Sequence, residues 1–256
     1  MGSFTFAMLA SSAPRTVISV IVPIKSEGPE IAWVLSRFSD SPEAELLIAH
    51  TGAPERTREA FWGSRARVLP LPGCSRGAGL AGAAAEARGE ILFFLHADSR
   101  PPENALALIA RTIAEGADAG AFSLAYEPSG FAMRWIAGWA NLRSRLGKLP
   151  FGDQGIFCRR ETYERAGGFR DLPICDDVDL VRRLKRAGRF VVRPEKTITS
   201  PRRYVEEGAA RRVLRNWRVL AGYFAGVRPE TLRRWYEGSP SIAPRDESER
   251  RATHRR

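Results

Sequence analysis

Runs of β-branched and aliphatic residues recur along the first half of the chain at the spacing of strands separated by helices. Residues 16–24 (TVISVIVPI) are continuously apolar, as in a strand buried on both faces, and close on Pro23 and the polar turn Lys25-Ser26-Glu27-Gly28. A helix is expected over 29–38, a second strand over 45–49 ending at His50-Thr51-Gly52, and a third over 67–71. Residues 77–88 (GAGLAGAAAEAR) read as a helix stopped by Gly89, with side chains small enough to lie close to a sheet. They lead into EILFFLHADS, whose apolar run 91–95 predicts the central strand. The alternation is that of βαβ units and a mostly parallel sheet flanked by helices.

The second half predicts a helix over 102–115, a strand over 121–126 and a helix over 131–146. That helix carries Trp135, Trp139, Leu142 and Leu146 on one face, a stripe expected to be core, with a membrane-facing role as the alternative. A short strand at 155–158, a small helix before Gly167-Gly168, a helix at 176–187 and a last strand at 190–193 follow. The helix 208–224 has Val213, Leu214, Trp217, Leu220 and Phe224 on its apolar side and Arg211, Arg215 and Arg218 on the other. It either packs on the domain or lies on an anionic bilayer. Residues 1–15 are expected to be a flexible leader, 16–237 one α/β domain, and 238–256 a disordered charged tail.

Charge narrows the partners. The 256 residues hold 40 Lys and Arg against 29 Asp and Glu, a formal charge of +11, which favours nucleotides, anionic lipid head groups or nucleic acid. The tail adds five arginines against three acids, so most of the excess belongs to the body. No zinc-finger, helix-turn-helix or RNA-binding aromatic signature is present, which argues against nucleic acid. Three widely spaced cysteines without a CxxC pair point to a reducing cytoplasm. Residues 3–13 are mildly apolar but make a poor signal peptide, and no apolar run approaches the about 20 residues that span a bilayer.

Two acidic groups carry candidate chemistry. The central strand ends on His96, Ala97 and Asp98, at the sheet edge where α/β folds bind ligands. A carboxylate there can hold a divalent cation against nucleotide phosphates, or cap the following helix. Asp176, Asp177 and Asp179 open the helix 176–187, and Arg182, Arg183, Lys185 and Arg186 lie toward its end, a distribution the macrodipole accounts for by itself.

Taken in order, ISVIVPIKSE, the small-residue helix after Arg76, FFLHADS, GDQGIFCRRETYERAGGF and DDVDLVRRLKRAG resemble the family 2 glycosyltransferases of the GT-A fold, over about residues 16–236. The closer likeness is to a small bacterial subgroup with LHAD, a GDQ loop and an RRW-like segment, whose members are labelled arsenosugar-biosynthesis glycosyltransferases. The resemblance implies an inverting, metal-dependent transfer from a nucleotide-diphosphate sugar to an unidentified hydroxyl acceptor, soluble or lipid-linked. Asp98 matches the acid that binds Mg²⁺ or Mn²⁺, with His96 beside it. Asp177 matches the general base, with Asp176 as its neighbour. Pro23, Glu27, His50 and Arg76 join His96 and Asp98 at the donor, while Asp153 and Gln154 of the GDQ loop and Arg202, Arg203 and Tyr204 belong to the diphosphate and acceptor end. An Arg there can bind a diphosphate bidentately, and the segment also reads as a solvated basic turn.

The chain departs from the pattern at the base-binding end. His50-Thr51-Gly52-Ala53 stands where the family has VDGGS, Ser26 where Asn is common, and Gly79 and Ala81 where the subgroup has Gln and Asn. An enzyme with an altered donor is the expectation. The alternative is an inactive nucleotide-sugar-binding or scaffold protein of the same fold.

Overall fold

The computed structural model describes residues 17–25, 30–52, 61 and 63–237. The expected leader and tail, Ser26, Glu27 and Ala53 lie outside them. The strands β1 (Ile18–Ile24), β2 (Ala44–His50), β3 (Arg67–Pro70), β4 (Ile91–Phe94), β5 (Ser99–Arg100), β6 (Ala119–Tyr126), β7 (Ile156–Arg159) and β8 (Phe190–Thr199) form one mixed sheet in the order β3-β2-β1-β4-β7-β6-β8-β5. Strands β1 to β4 are parallel, β7 runs antiparallel between β4 and β6, and β6 pairs in parallel with β8.

Nine helices are described: α1 (Glu30–Phe38), α2 (Arg76–Glu86), α3 (Ala105–Ala114), α4 (Phe131–Gly147), α5 (Arg160–Arg165), α6 (Asp176–Ala187), α7 (Arg202–Glu207), α8 (Ala209–Phe224) and α9 (Pro229–Glu237). Strand side chains alternate between faces, so Ile91, Phe93 and Leu95 pack with α1 and α3, while Leu92 and Phe94 pack with α2 and α6. Both faces are covered, which is why β1 and β4 are almost wholly apolar. The strand order reverses at β1, which has β2 on one side and β4 on the other, so the carboxyl ends of β1 and β4 flank a topological switch point.

The expected last strand at 190–193 continues to Thr199 past Pro194. A register shift opposite Ala121/Ser123 absorbs the proline, which has no N–H for a ladder.

Two helices pack differently from expectation. Trp135, Trp139, Leu142 and Leu146 are exposed, not core, and α4 instead buries Met133, Ala137 and Ser144. Asn141 fixes it to β6, accepting from the Leu124 N–H at 2.6 Å and donating to the Leu124 carbonyl at 3.0 Å. Small and polar side chains bring α4 close to the sheet, and because its outer face is also apolar, periodicity could not tell inside from outside. In α8 the buried residues are Arg212, Val219, Leu220 and Gly222, while Leu214, Trp217 and Phe224 face out. Arg212 is buried because Glu207 neutralises it at 3.1 Å and its guanidinium lies 4.2 Å over the Tyr236 ring.

Candidate active site

Of the residues singled out in the sequence, Arg76, His96, Asp176 and Asp177 lie in contact at the carboxyl edge of the sheet, and Glu27 lies outside the described residues. His50 closes β2 and is 2% exposed. Pro23 follows the point where the β1 ladder to β4 ends, at Ile21 opposite Phe94, so the two strands part there. Arg76 opens α2, whose N-cap Ser75 accepts from the Ala78 N–H at 3.1 Å. A cation at a helix N-terminus opposes the macrodipole, and the opposing carboxylate comes from α6.

Asp176 is 2% exposed and takes the Arg76 guanidinium with both oxygens: Nε donates to Oδ2 at 3.0 Å and Nη2 to Oδ1. Burial would lower the Arg76 pKa, but Asp176 and Asp177 raise it, so Arg76 is charged; burial raises the Asp176 carboxyl against the pull of Arg76. Before it, Cys175 adopts a left-handed φ of 60°, uncommon for a residue with a Cβ. Asp176 therefore points inward, its side chain 3% exposed, while that of Asp177 keeps 15% exposure. Asp177 Oδ2 accepts the Gly152 N–H at 2.7 Å, its Oδ1 accepts the Val178 N–H at 2.8 Å, and Arg76 Nη2 stands 3.8 Å from Oδ2. Burial would push its pKa up, but Arg76 and those N–H groups hold it below the usual carboxylate range. Asp179 is structural, paired with Arg183 at 2.6 Å.

His96 leaves β4 with Nε2 3.2 Å from Arg76 Nη1. Burial first, and Arg76 next, depress its pKa to about 4, so the ring is neutral and Nε2 accepts. Gly152 is needed here: a Cβ would come within 2.7 Å of His96 Nε2 and 3.2 Å of Asp177 Oδ2. Asp98 is exposed and caps no helix, because α3 begins at Ala105 after Asn104. Among the described residues no cluster of three or more His, Cys, Asp or Glu could hold a metal by itself. The donor set therefore fits a hard cation taking Asp98 from the protein and its remaining ligands from phosphate and water; His96, whose Nε2 accepts from Arg76, carries its proton on Nδ1 and offers the cation no lone pair.

The GDQ loop divides its work. Gln154 is fully buried; Nε2 donates to the Phe122 carbonyl at 2.8 Å, and Oε1 accepts from Ser144 Oγ at 2.9 Å and from the Phe151 N–H at 3.2 Å. It holds the loop rather than facing the cleft. Gln154→Leu should therefore cost about 1–3 kcal/mol through the carbonyl and N–H left unpaired, read as a lowered Tm at neutral pH; an unchanged Tm would remove it from that role. Asp153 points the other way, with Oδ1 buried and unpartnered, and burial pushes its carboxyl up to about 6 against the pull of Arg143.

Arg202 and Arg203 begin α7 and are exposed, Arg203 donating to the Tyr236 hydroxyl at 2.8 Å. Tyr204 packs edge-on to Tyr126 with ring centroids 5.4 Å apart. Sequence reading missed Arg143, which lies 3.5 Å over the Phe151 ring, donates to the Leu149 carbonyl at 3.1 Å and leaves Nη2 buried without a partner. Its field reaches both Asp153 and Asp177. The available signal was an arginine at the border of the α4 apolar stripe. The departures at 51 and 79 are coupled: a Cβ on Gly79 would meet the Thr51 methyl at 2.6 Å, so Thr51 occupies the space a longer residue at 79 would need.

Comparison with known proteins bears on the family and the fold. The model of the glycosyl transferase family 2 matches residues 19–164, more than half the chain, while a search of curated proteins finds no match. Among solved structures, the chain is similar to the mannosyltransferase PcManGT from Pyrobaculum calidifontis in complex with GDP-Man and Mn²⁺ (20% identity, TM-score 0.54, covering 73% of this chain and 57% of that one). It is also similar to TarS 1-349 of S. aureus (16%, 0.56, 77% and 64%). A third is glucosyl-3-phosphoglycerate synthase from Mycobacterium tuberculosis in complex with phosphoglyceric acid (21%, 0.52, 78% of each chain). The chain thus spans less than two thirds of the first two, and at these identities the likeness speaks for the shared fold, that of the GT-A glycosyltransferases. On the family model's match to 19–164, the chain belongs to glycosyl transferase family 2.

Proposed function

We propose that the protein is an inverting glycosyltransferase that moves a sugar from a nucleoside diphosphate sugar to a hydroxyl acceptor. The observation that carries this is Asp177, a partly exposed carboxylate held ionised by Arg76 and two backbone N–H groups beside His96. Asp177 takes the acceptor's proton as its oxygen bonds to the anomeric carbon, and the bond to the diphosphate breaks on the opposite face, its electron pair leaving with the nucleoside diphosphate. One in-line displacement inverts the configuration. Asp98 would hold Mg²⁺ or Mn²⁺, which when bound offsets the charge of the departing diphosphate. Arg202 and Arg203 line the diphosphate side, and Asp153 and Tyr204 the acceptor side. Asp176 acts through Arg76 rather than on substrate.

The LHAD and GDQ motifs support a place in the subgroup labelled for arsenosugar biosynthesis, a matter of lineage that leaves donor and acceptor to assay. The reducing-cytoplasm reading and the absence, among the described residues, of a helix able to cross a membrane are consistent with action on the side where nucleotide sugars are made. The test is a thermal-shift screen of nucleoside diphosphates with and without Mn²⁺, GDP and UDP first, since a ligand of the native state raises Tm. Stabilisation that needs both nucleotide and cation, followed by release of the nucleotide from its sugar conjugate, supports the reading; no nucleotide effect overturns it.

Asp98→Asn should abolish the Mn²⁺-dependent part of nucleotide binding while leaving Tm without ligand unchanged, because an exposed amide still folds but is a weak ligand. Unchanged metal-dependent affinity by calorimetry would take the cation away from Asp98.

A further inference from the structure

Ten large hydrophobic side chains stand exposed among the described residues, and nine of them lie on α4, α7 and α8. On α4, Phe131, Trp135, Trp139, Leu142 and Leu146 recur every three or four residues, with Phe131 80% and Leu146 78% exposed. On α8, Leu214, Trp217 and Phe224, three and then seven residues apart, share one face, and Val205 of α7 lies between the two helices in sequence. Scattered exposed apolar residues need no explanation, but this concentration marks an interaction surface. The helices meet at one seam, where Ile136 and Ala140 of α4 and Tyr204 and Ala209 pack around Leu124 and Tyr126.

The charges around the apolar face have one sign. Neither α4 nor α8 contains an acidic residue. Arg134 and Arg145 stand exposed on one flank of the α4 stripe, and Arg211 and Arg218 on one flank of the α8 stripe. The acids of α7 are already engaged, Glu207 with Arg212 at 3.1 Å and with Arg215, and Glu206 with Arg202 at 3.8 Å. Arg215 is thereby neutralised, which leaves Arg211 as an outward cation of α8 beside Arg218, whose guanidinium lies 4.3 Å over the Trp235 ring of α9.

We propose that the α4–α8 face docks on an anionic lipid bilayer, with its tryptophans and phenylalanines at the headgroup boundary and its arginines on lipid phosphates. A second copy of the chain fits less well, because a self-interface there would bring like charges together with no carboxylate on either helix to offset them. The docking itself does not depend on the transfer chemistry. Combined with that reading, it assigns the acceptor to a membrane lipid, since Tyr204 belongs both to the seam and to the acceptor side of the cleft.

The test is co-sedimentation of the full chain with vesicles of phosphatidylcholine alone or with roughly a quarter phosphatidylglycerol. Binding to the anionic vesicles only, weakened by salt and accompanied by a blue shift of tryptophan emission, is expected. Trp135→Ala with Trp139→Ala should lower affinity at least about tenfold, and each of Arg134→Gln and Arg211→Gln about fivefold. These positions are exposed, so Tm and nucleoside diphosphate binding should stay at the parent values, which separates loss of docking from loss of donor binding. Failure of the parent to bind anionic vesicles at low salt overturns the proposal. So does a dimer in sedimentation equilibrium that the tryptophan changes dissociate, which gives the face to a second copy.

Discussion

Asp177→Asn is expected to bind the nucleotide-sugar donor as the parent does and to transfer its sugar about 10²–10⁴-fold more slowly, the range for loss of a general base. The amide keeps the shape of the carboxylate and one oxygen to accept either the Gly152 or the Val178 N–H, so one of the two anchors is kept and the other N–H loses its acceptor. What it lacks is the lone pair that takes the acceptor proton. In the parent, Arg76 and those N–H groups hold Asp177 below the usual carboxylate range despite its burial. The base is then ionised across the neutral and mildly acidic range, and an acid limb arising from Asp177 falls below an ordinary carboxylate pKa. Initial rates at saturating donor, with donor affinity measured separately by calorimetry, check both halves. Transfer within a few-fold of the parent would move the role to Asp153, whose carboxyl burial pushes up to about 6.

The parallel half of the sheet was legible because its strands are buried on both faces, so β1, β2 and β4 appear as unbroken apolar runs bounded by turns. The same logic placed His50, His96 and Asp98 at the sheet's carboxyl edge, since His50 closes β2 and His96 and Asp98 lie within four residues of the end of β4. Asp176 and Asp177 were legible as a pair at a helix start, but not which of them faces inward. That division depends on the left-handed turn at Cys175 and on Arg76, a hundred residues away in sequence. The helix α4 was legible as an element and misread in orientation. Its packing face consists of Met133, Ala137, Asn141 and Ser144, which no hydrophobicity pattern ranks above a stripe with two tryptophans. The short helix α7 and the helix α9 were not foreseen, because their few apolar positions matter only against neighbours distant in the chain. Arg143 belongs to the same class of miss: its part comes from the loop 151–154 folding back under it.

Removing the cation that Asp176 faces should produce the largest loss of stability of any single change in the cleft. Arg76→Met leaves a carboxylate that is 2% exposed without its bidentate partner, and stranding one member of a buried pair costs about 3–5 kcal/mol. The direction with pH follows from the charge left behind. Burial, with the Asp177 charge beside it, already raises the Asp176 carboxyl against the pull of Arg76; without Arg76 its folded pKa rises further above the unfolded value, so the penalty is full at neutral pH and fades as pH falls and the carboxyl takes up a proton. The parent meanwhile loses stability on acidification, because Asp177 is held below its unfolded value in the folded state and must be protonated. Both effects narrow the gap between variant and parent on lowering the pH from neutral toward the unfolded carboxylate pKa of about 3.9. Urea unfolding of the two proteins across that range measures the gap. The double change Arg76→Met with Asp176→Leu should recover most of the loss at neutral pH, since an apolar pair of similar volume can replace a buried ion pair. A double variant as unstable as Arg76→Met alone would mean that Arg76 stabilises the fold through His96 and Asp177 instead.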